Sequence, residues 1–183
     1  QKNSITNEYY LTDLVKILNE ENKEIAFVEI NEKEILGINN QIDLSIAEKI
    51  AQTSLRKEAM LKGVKLVDPD TVFFNYDTSI GKNVIIHPNV VFGKNVNIGS
   101  SVEIKSFSHI EDCEIQENCV IGPFARIRGH SILGKNSKIG NFVEIKKSNL
   151  EENVKINHLS YIGDSEIGTS TNIGAGTITC NYD

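Results

Sequence analysis

The side chains that could do chemistry here are four histidines (His87, His109, His130, His158), three cysteines (Cys113, Cys119, Cys180) and a few conspicuous charges. An imidazole accepts a proton near neutrality, so a histidine suits general-base work. The four histidines are too dispersed to suggest the cluster that a metal-dependent hydratase would need. The cysteines are odd in number and lack CxxC or Cys/His ligand spacing, which points to buried or incidental thiols rather than a disulfide framework or a zinc site. Arg128 and Lys146 each directly follow a large apolar residue, Ile127 and Ile145. If the fold sets two such cations side by side, they repel each other until a phosphate lies between them and gains charge-assisted hydrogen bonds. The plainer reading of these cations, and of Glu144, is a set of solvated charges on an outer face.

What would position these residues is a repeat. From about residue 72, bulky apolar residues recur every six positions: Phe74, Ile80, Ile86, Phe92, Ile98, Ile104 and Ile110. After a five-residue step the series resumes at Ile115 and runs through Ile121, Ile127, Leu133, Ile139 and Ile145. A second short step leads to Leu150, Ile156 and Ile162, and a third to Ile167 and Ile173. Two residues before each large one stands a small or β-branched residue, as at Val84, Val102, Ser108, Cys113, Cys119 and Ser137. A period of six is neither helix nor simple strand. Gly often follows the large residue and Asn recurs nearby; both tolerate positive φ, so each hexad can hold a short strand and one corner. Three hexads would close a triangular coil, with successive coils stacked about 4.8 Å apart. On that reading all three short steps fall at the same corner, which is then tighter than the others, and Ile80, Ile98, Ile115, Leu133, Leu150 and Ile167 form one interior column. Cys113 and Cys119 take small core positions on different walls and cannot pair.

Upstream, Tyr9, Leu14, Val15, Ile17 and Leu18 suit a helix from Glu8 to about Asn19, followed by a strand-like EIAFVEI at 24–30. Residues 43–62 read as one helix, with Asp43 or Ser45 as cap and Gly63 as stop. The composition is 39% hydrophobic and 24% charged, with a net charge of −6, which argues against nucleic acid as a partner. No apolar run approaches the roughly 20 residues of a membrane span and no signal peptide is recognisable, so a cytoplasmic protein is expected.

The hexads resemble the hexapeptide-repeat acyltransferases, and four segments sharpen the likeness: GPFARIRG at 122–129, GNFVEIKK at 140–147, NHLSYIGD at 157–164 and NIGAGTITCNYD at 172–183. They resemble the bifunctional glucosamine-1-phosphate acetyltransferase and N-acetylglucosamine-1-phosphate uridyltransferase family. NEYYLTD at 7–13 and GINN at 37–40 resemble the end of that family's uridyltransferase domain. The resemblance implies a mostly β fold, a left-handed parallel β-helix preceded by a linker helix and the C-terminal remnant of an α/β nucleotidyltransferase domain, divided at 1–42, 43–66 and 67–183. It also implies acetyl transfer from acetyl-CoA to the amine of glucosamine-1-phosphate. Uridylyl transfer from UTP follows, giving UDP-N-acetylglucosamine for peptidoglycan and cell-wall synthesis.

By the same resemblance, His158 matches the general base and Glu144 the carboxylate that supports it. Arg128 and Lys146 match the sugar-phosphate ligands, and Tyr161 and Asn172 match sugar-binding positions. Asn181 matches a substrate or acetyl-group contact, while Ala175 and Tyr182 lie near the acetyl donor. Asn39 matches a Mg2+ ligand, and Glu8, Tyr10 and Thr12 match sugar-nucleotide contacts. The family assembles as a homotrimer with the acetyl site between subunits. The sequence starts at Gln1 and stops at Asp183 inside a patterned stretch, which suggests an internal piece of a longer chain. It lacks the upstream nucleotide loop, so uridylyl transfer is not expected of it. Two other readings are a different hexapeptide acyltransferase and a trimeric scaffold without catalysis.

Overall fold

A computed structural model describes residues 10–181. From Lys65 onward the backbone winds as a left-handed parallel β-helix whose short strands pair only with the coils above and below. The large residues of the hexads stack in three interior columns. Ile80 pairs in register with Ile98, then Ile115, Leu133, Leu150 and Ile167 along the first wall. Ile86, Ile104, Ile121, Ile139, Ile156 and Ile173 line the second. Phe92, Ile110, Ile127, Ile145 and Ile162 line the third. Most of these side chains are fully buried; Ile80, Ile167 and Ile173, at the ends of their columns, are partly so. The small positions fill the space between columns, and where they are serines the hydroxyls find carbonyl acceptors, as Ser131 Oγ does at Arg128 O, 2.6 Å away. Cys113 and Cys119 are inside and unpaired. Burial pushes their thiols up to about 12 and about 11, a setting for packing rather than nucleophilic chemistry.

The corners carry residues at positive φ. Asn83, Asn118, Asn136 and Asn153 turn between the first and second walls, and Asn89, Phe107, Phe124, Phe142 and Leu159 between the second and third. The corner from the third wall back to the first has Asn95, Asp112, His130, Lys147 and Asp164. All three five-residue steps fall there, at Asp112, Lys147 and Asp164, whose φ values of 49°, 46° and 49° are below the 55° and 59° of Asn95 and His130. The three short steps therefore share one corner, as the repeat implied. Of the glycines that follow a large residue, Gly122 has the positive φ expected, at 84°, whereas Gly81, Gly99, Gly134 and Gly140 are absent from the positive-φ set. They permit close approach instead. A Cβ at Gly134 would stand 2.5 Å from the carbonyl carbon of Glu151 on the next coil, and one at Gly140 would overlap the Asn157 carbonyl.

Helix α2 (Gln41–Leu61) leads into the β-helix and covers its first coil. A solenoid end exposes unpaired strand groups. Gln52 acts there as a substitute strand: its Nε2 donates to Phe74 O at 2.7 Å, and its Oε1 accepts from the Phe74 N–H at 2.9 Å. One turn on, Arg56 Nε donates to Val72 O at 2.8 Å, and the guanidinium lies 5.5 Å from the centre of the Phe73 ring. Gly63, at φ 92°, ends α2 as expected; its N–H bonds Met60 O while the Val64 N–H bonds Ala59 O, the paired closure that only a left-handed residue permits. The start differs from the expectation of Asp43 or Ser45. Asn40 Oδ1 accepts from the N–H groups of Ile42 and Asp43, and Asp43 reaches back to the Asn39 N–H, so Asp43 reciprocates the cap rather than forming it.

The chain divides into two compact units, Gln1–Asp43 and Leu44–Asp183. In the first, α1 spans Asp13–Glu20, beginning later than the apolar pattern implied. Residues 24–30 form no strand. Alternating residues need a partner edge to bond, and no described strand pairs with them; Phe27 and Val28 are each 84% exposed.

Candidate functional site

Two nine-residue strands, Lys138–Lys146 and Lys155–Gly163, run unbroken around the corner between the second and third walls. The bend falls at Phe142 and Leu159. Most of the expected acetyl-site residues stand on either side of this bend.

On the second wall His158 lies directly beside Asn141 of the preceding coil, and its Nδ1 is 2.8 Å from Asn141 Oδ1. An amide oxygen can only accept, so Nδ1 carries the hydrogen of this bond, and in the neutral ring that leaves the lone pair on Nε2. An open groove of about 520 Å³ adjoins the pair, walled in part by Pro123, Phe124 and Phe142. Asn172 and Ala175 occupy the following coil on the same side: Lys155 pairs with Asn172, and the Gly176 N–H bonds Leu159 O at 3.1 Å. Both are exposed.

On the third wall Arg128 pairs in register with Lys146, which sets the two cations on adjacent coils. Each has a carboxylate partner. Arg128 Nε donates to Glu144 Oε1 at 2.7 Å, and this bond raises the arginine's affinity for its proton above the ordinary value. Lys146 Nζ lies 3.4 Å from Asp164 Oδ2, and Lys147 Nζ 3.3 Å from Asp164 Oδ1. Tyr161 sits beside Glu144, and the Asn181 amide donates both to Tyr161 Oη at 3.4 Å and to Asp164. The hydrogen bond from Asn181, then the two lysines, holds the Asp164 carboxyl below its usual range. Arg128, Lys146, Tyr161 and Asn181 thus come together, with Asp164 as an organiser that the sequence did not point to.

Glu144 is not where the resemblance would have it within one chain. It accepts from Arg128 and lies 3.7 Å from Arg126 on the third wall, whereas His158 precedes the bend and is held by Asn141. Register explains the difference: Glu144 stands three positions after Asn141, with the corner residue Phe142 between them. Asn141 was missed because only the pairing of the two coils brings it to the histidine. Its place one repeat before His158, 17 residues back, is the signal that could have found it.

Residues 77–112 and 112–147 each match the bacterial transferase hexapeptide family, described as six repeats. The bifunctional protein GlmU of Anaplasma marginale (strain Florida) is 49% identical over 176 residues, which are 96% of this chain and 41% of that protein. GlmU of Zymomonas mobilis is 49% identical over 183 residues, 100% of this chain and 41% of its own length. GlmU of Wolbachia pipientis wMel is 50% identical over 181 residues, 99% and 42% of the respective lengths. The chain is a relative of the bifunctional GlmU proteins. It spans about two fifths of the length of these relatives. A solved structure, the acetyltransferase domain of PglB from Neisseria gonorrhoeae FA1090, aligns with a TM-score of 0.48 and 16% identity over 70% of this chain and 64% of that one, too distant to bear on function.

The remaining residues singled out by the GlmU likeness lie in the first unit or at the chain ends. Glu8 and Tyr182 fall outside the described residues. Tyr10 and Thr12 precede α1, Tyr10 being 41% exposed. Asn39 is exposed and offers a single side-chain oxygen, and among the described residues no three His, Cys, Asp or Glu side chains gather around a point. A magnesium site does not fit these residues by themselves. Among the described residues no helix is long and apolar enough to cross a membrane.

Proposed function

We propose that this chain carries the acetyltransferase site of a GlmU-type enzyme, moving an acetyl group from acetyl-CoA to the amine of glucosamine-1-phosphate, with uridylyl transfer belonging to a protein of the relatives' full length. The observation that carries the reading is the orientation of His158: Asn141 occupies Nδ1 and leaves the Nε2 lone pair for a substrate. The unprotonated amine attacks the thioester carbonyl carbon, forming the C–N bond. Nε2 takes the proton released by nitrogen. As the C–S bond breaks, the departing sulfur collects that proton and coenzyme A leaves as the thiol.

Arg128 and Lys146 hold the sugar phosphate. The Glu144 bond uses only Arg128 Nε, so the guanidinium's terminal N–H groups serve the phosphate while Glu144 fixes the plane of the fork. Glu144 therefore acts here by orienting Arg128, and the support of His158 passes to Asn141. Tyr161, Asn172 and Asn181 contact the sugar. Ala175 borders the donor, whose arm lies in the groove beside Phe124 and Phe142.

Assembly as a homotrimer is supported by the corner itself. Phe107, Phe124 and Phe142 stack with ring centres 5.0 and 5.1 Å apart and, with Leu159, remain 45–62% exposed, an apolar ridge between the two halves of the site. A neighbouring copy packed on this ridge would close a cleft containing both His158 and the cation pair.

The test separates chemistry from positioning in acetyl-transfer kinetics. Arg128→Ala should raise KM for glucosamine-1-phosphate with a lesser effect on kcat, and Asn141→Ala should lower kcat with KM little changed. Unaltered kinetics in both variants would remove the assignment.

A further inference from the structure

Asp164 stands at the corner from the third wall back to the first, at φ 49°, and its N–H bonds Lys146 O on the preceding coil at 2.9 Å. The carboxylate is thereby held among three donors, Lys146 Nζ, Lys147 Nζ and Asn181 Nδ2. Lys146 and Asn181 belong to the site described above, whereas the Lys147 side chain is 71% exposed. Beside a pair of cations that holds a phosphate, a carboxylate is unfavourable, because a negative charge this close to Lys146 repels the anion the pair is to bind. A charge set against its ligand's own sign has some other use.

That use lies in Asn181. A primary amide has a donating end and an accepting end of nearly the same shape, and its partners alone decide which way it turns. Asp164 is ionised, because the bond from Asn181 and then the two lysines lower its affinity for a proton, so it can only accept. It therefore takes the Nδ2 end of the amide, which also donates to Tyr161 Oη at 3.4 Å. Both hydrogens of Nδ2 are then spent within the protein, and Oδ1 is the end without a partner among the described residues. An oxygen presented to a sugar accepts from an amine or a hydroxyl and cannot donate.

We propose that Asp164 is a positioning residue that fixes the Asn181 amide with its oxygen left for the sugar, so that the site recognises a hydrogen-bond donor of the amino sugar there. The proposal rests on the acetyltransferase reading above. It makes Asp164 the counterpart of Glu144: one carboxylate orients a guanidinium, the other an amide. An asparagine at 164 suits the corner, since Asn95 occupies the same corner at φ 55°. Its amide can offer either end to Asn181, however, and the fixed choice is lost.

Steady-state acetyl transfer in a polypeptide of the relatives' full length containing this chain tests this. Asp164→Asn should raise KM for glucosamine-1-phosphate by roughly threefold to tenfold, the worth of one hydrogen bond, and leave KM for acetyl-CoA as it is. The sign is decisive, because removing a negative charge beside the phosphate would by itself lower that KM, and a loss of folded protein would move neither. Asn181→Ala should raise the same KM, and adding Asp164→Asn to it should change it by less than about twofold; a further full rise would overturn the route through Asn181. An unchanged or lowered KM in Asp164→Asn, with the rise in Arg128→Ala intact, would overturn the proposal and leave the acetyltransferase reading standing, whereas no rise in Arg128→Ala either would overturn both. Should Asp164→Asn fail to fold, Asp164→Gly suits the positive φ and removes the carboxylate outright, with the same outcomes expected.

Discussion

At Asp164 one carboxylate gathers Asn181, Lys147 and Lys146, and the result is a group held in its charged form. Because the folded pKa lies below the unfolded value of about 3.9, the stabilisation is present above that pH and disappears as pH falls through the folded value. Asp164→Asn should therefore be less stable than the unaltered protein near neutrality, with the gap closing at low pH, where both side chains are neutral. Urea unfolding across that range measures it; a gap independent of pH would mean that the charge is not what matters. The neighbouring cations were legible in the sequence, since Arg128 and Lys146 each follow an isoleucine of one column and the columns set their register. Asp164 was not, because its importance comes from the tight corner that turns it towards Lys146 and from Asn181 one coil further on. The partner of His158 was hidden for a similar reason: the bond to Asn141 exists only between coils, and a family likeness pointed to Glu144 instead.

Secondary-structure elements were legible to the degree that one local signal determines each. The hexads foretold the columns because a large residue every sixth position has one interior to enter. Gly63 foretold the end of α2 because the closing turn needs positive φ. The start of α2 was misplaced among competing polar residues, where Asn40 won by offering its oxygen to two N–H groups at once. The segment 24–30 shows the limit of alternation as a signal, since a strand is made by its neighbour as much as by its residues. Gln52 is the reverse case: a polar residue, unremarkable in the helical pattern, that satisfies the Phe74 N–H and C=O of the first coil while 9% exposed. Gln52→Ala would leave the Phe74 N–H and C=O unpaired and should cost about 1–3 kcal/mol in chemical denaturation, the usual penalty for buried unsatisfied groups. An unchanged midpoint would show that this end of the β-helix has no need of the helix.

For the whole molecule, the corner between the second and third walls brings together His158 on one side, the Arg128 and Lys146 pair on the other and an exposed aromatic ridge between them. If the ridge is the contact between copies, replacing both Phe124 and Phe142 with Asp should leave a folded monomer where light scattering on the unaltered protein finds a trimer. A double variant that remains trimeric would place the contact elsewhere. If His158 is the base for acetyl transfer, its loss is read in the turnover of His158→Ala with acetyl-CoA and glucosamine-1-phosphate, in a polypeptide of the relatives' full length containing this chain. Turnover should fall by roughly 10²- to 10⁴-fold at neutral pH with substrate affinity largely kept, and the deficit should shrink as rising pH deprotonates the amine. A folded variant with near-normal turnover at neutral pH would contradict the account.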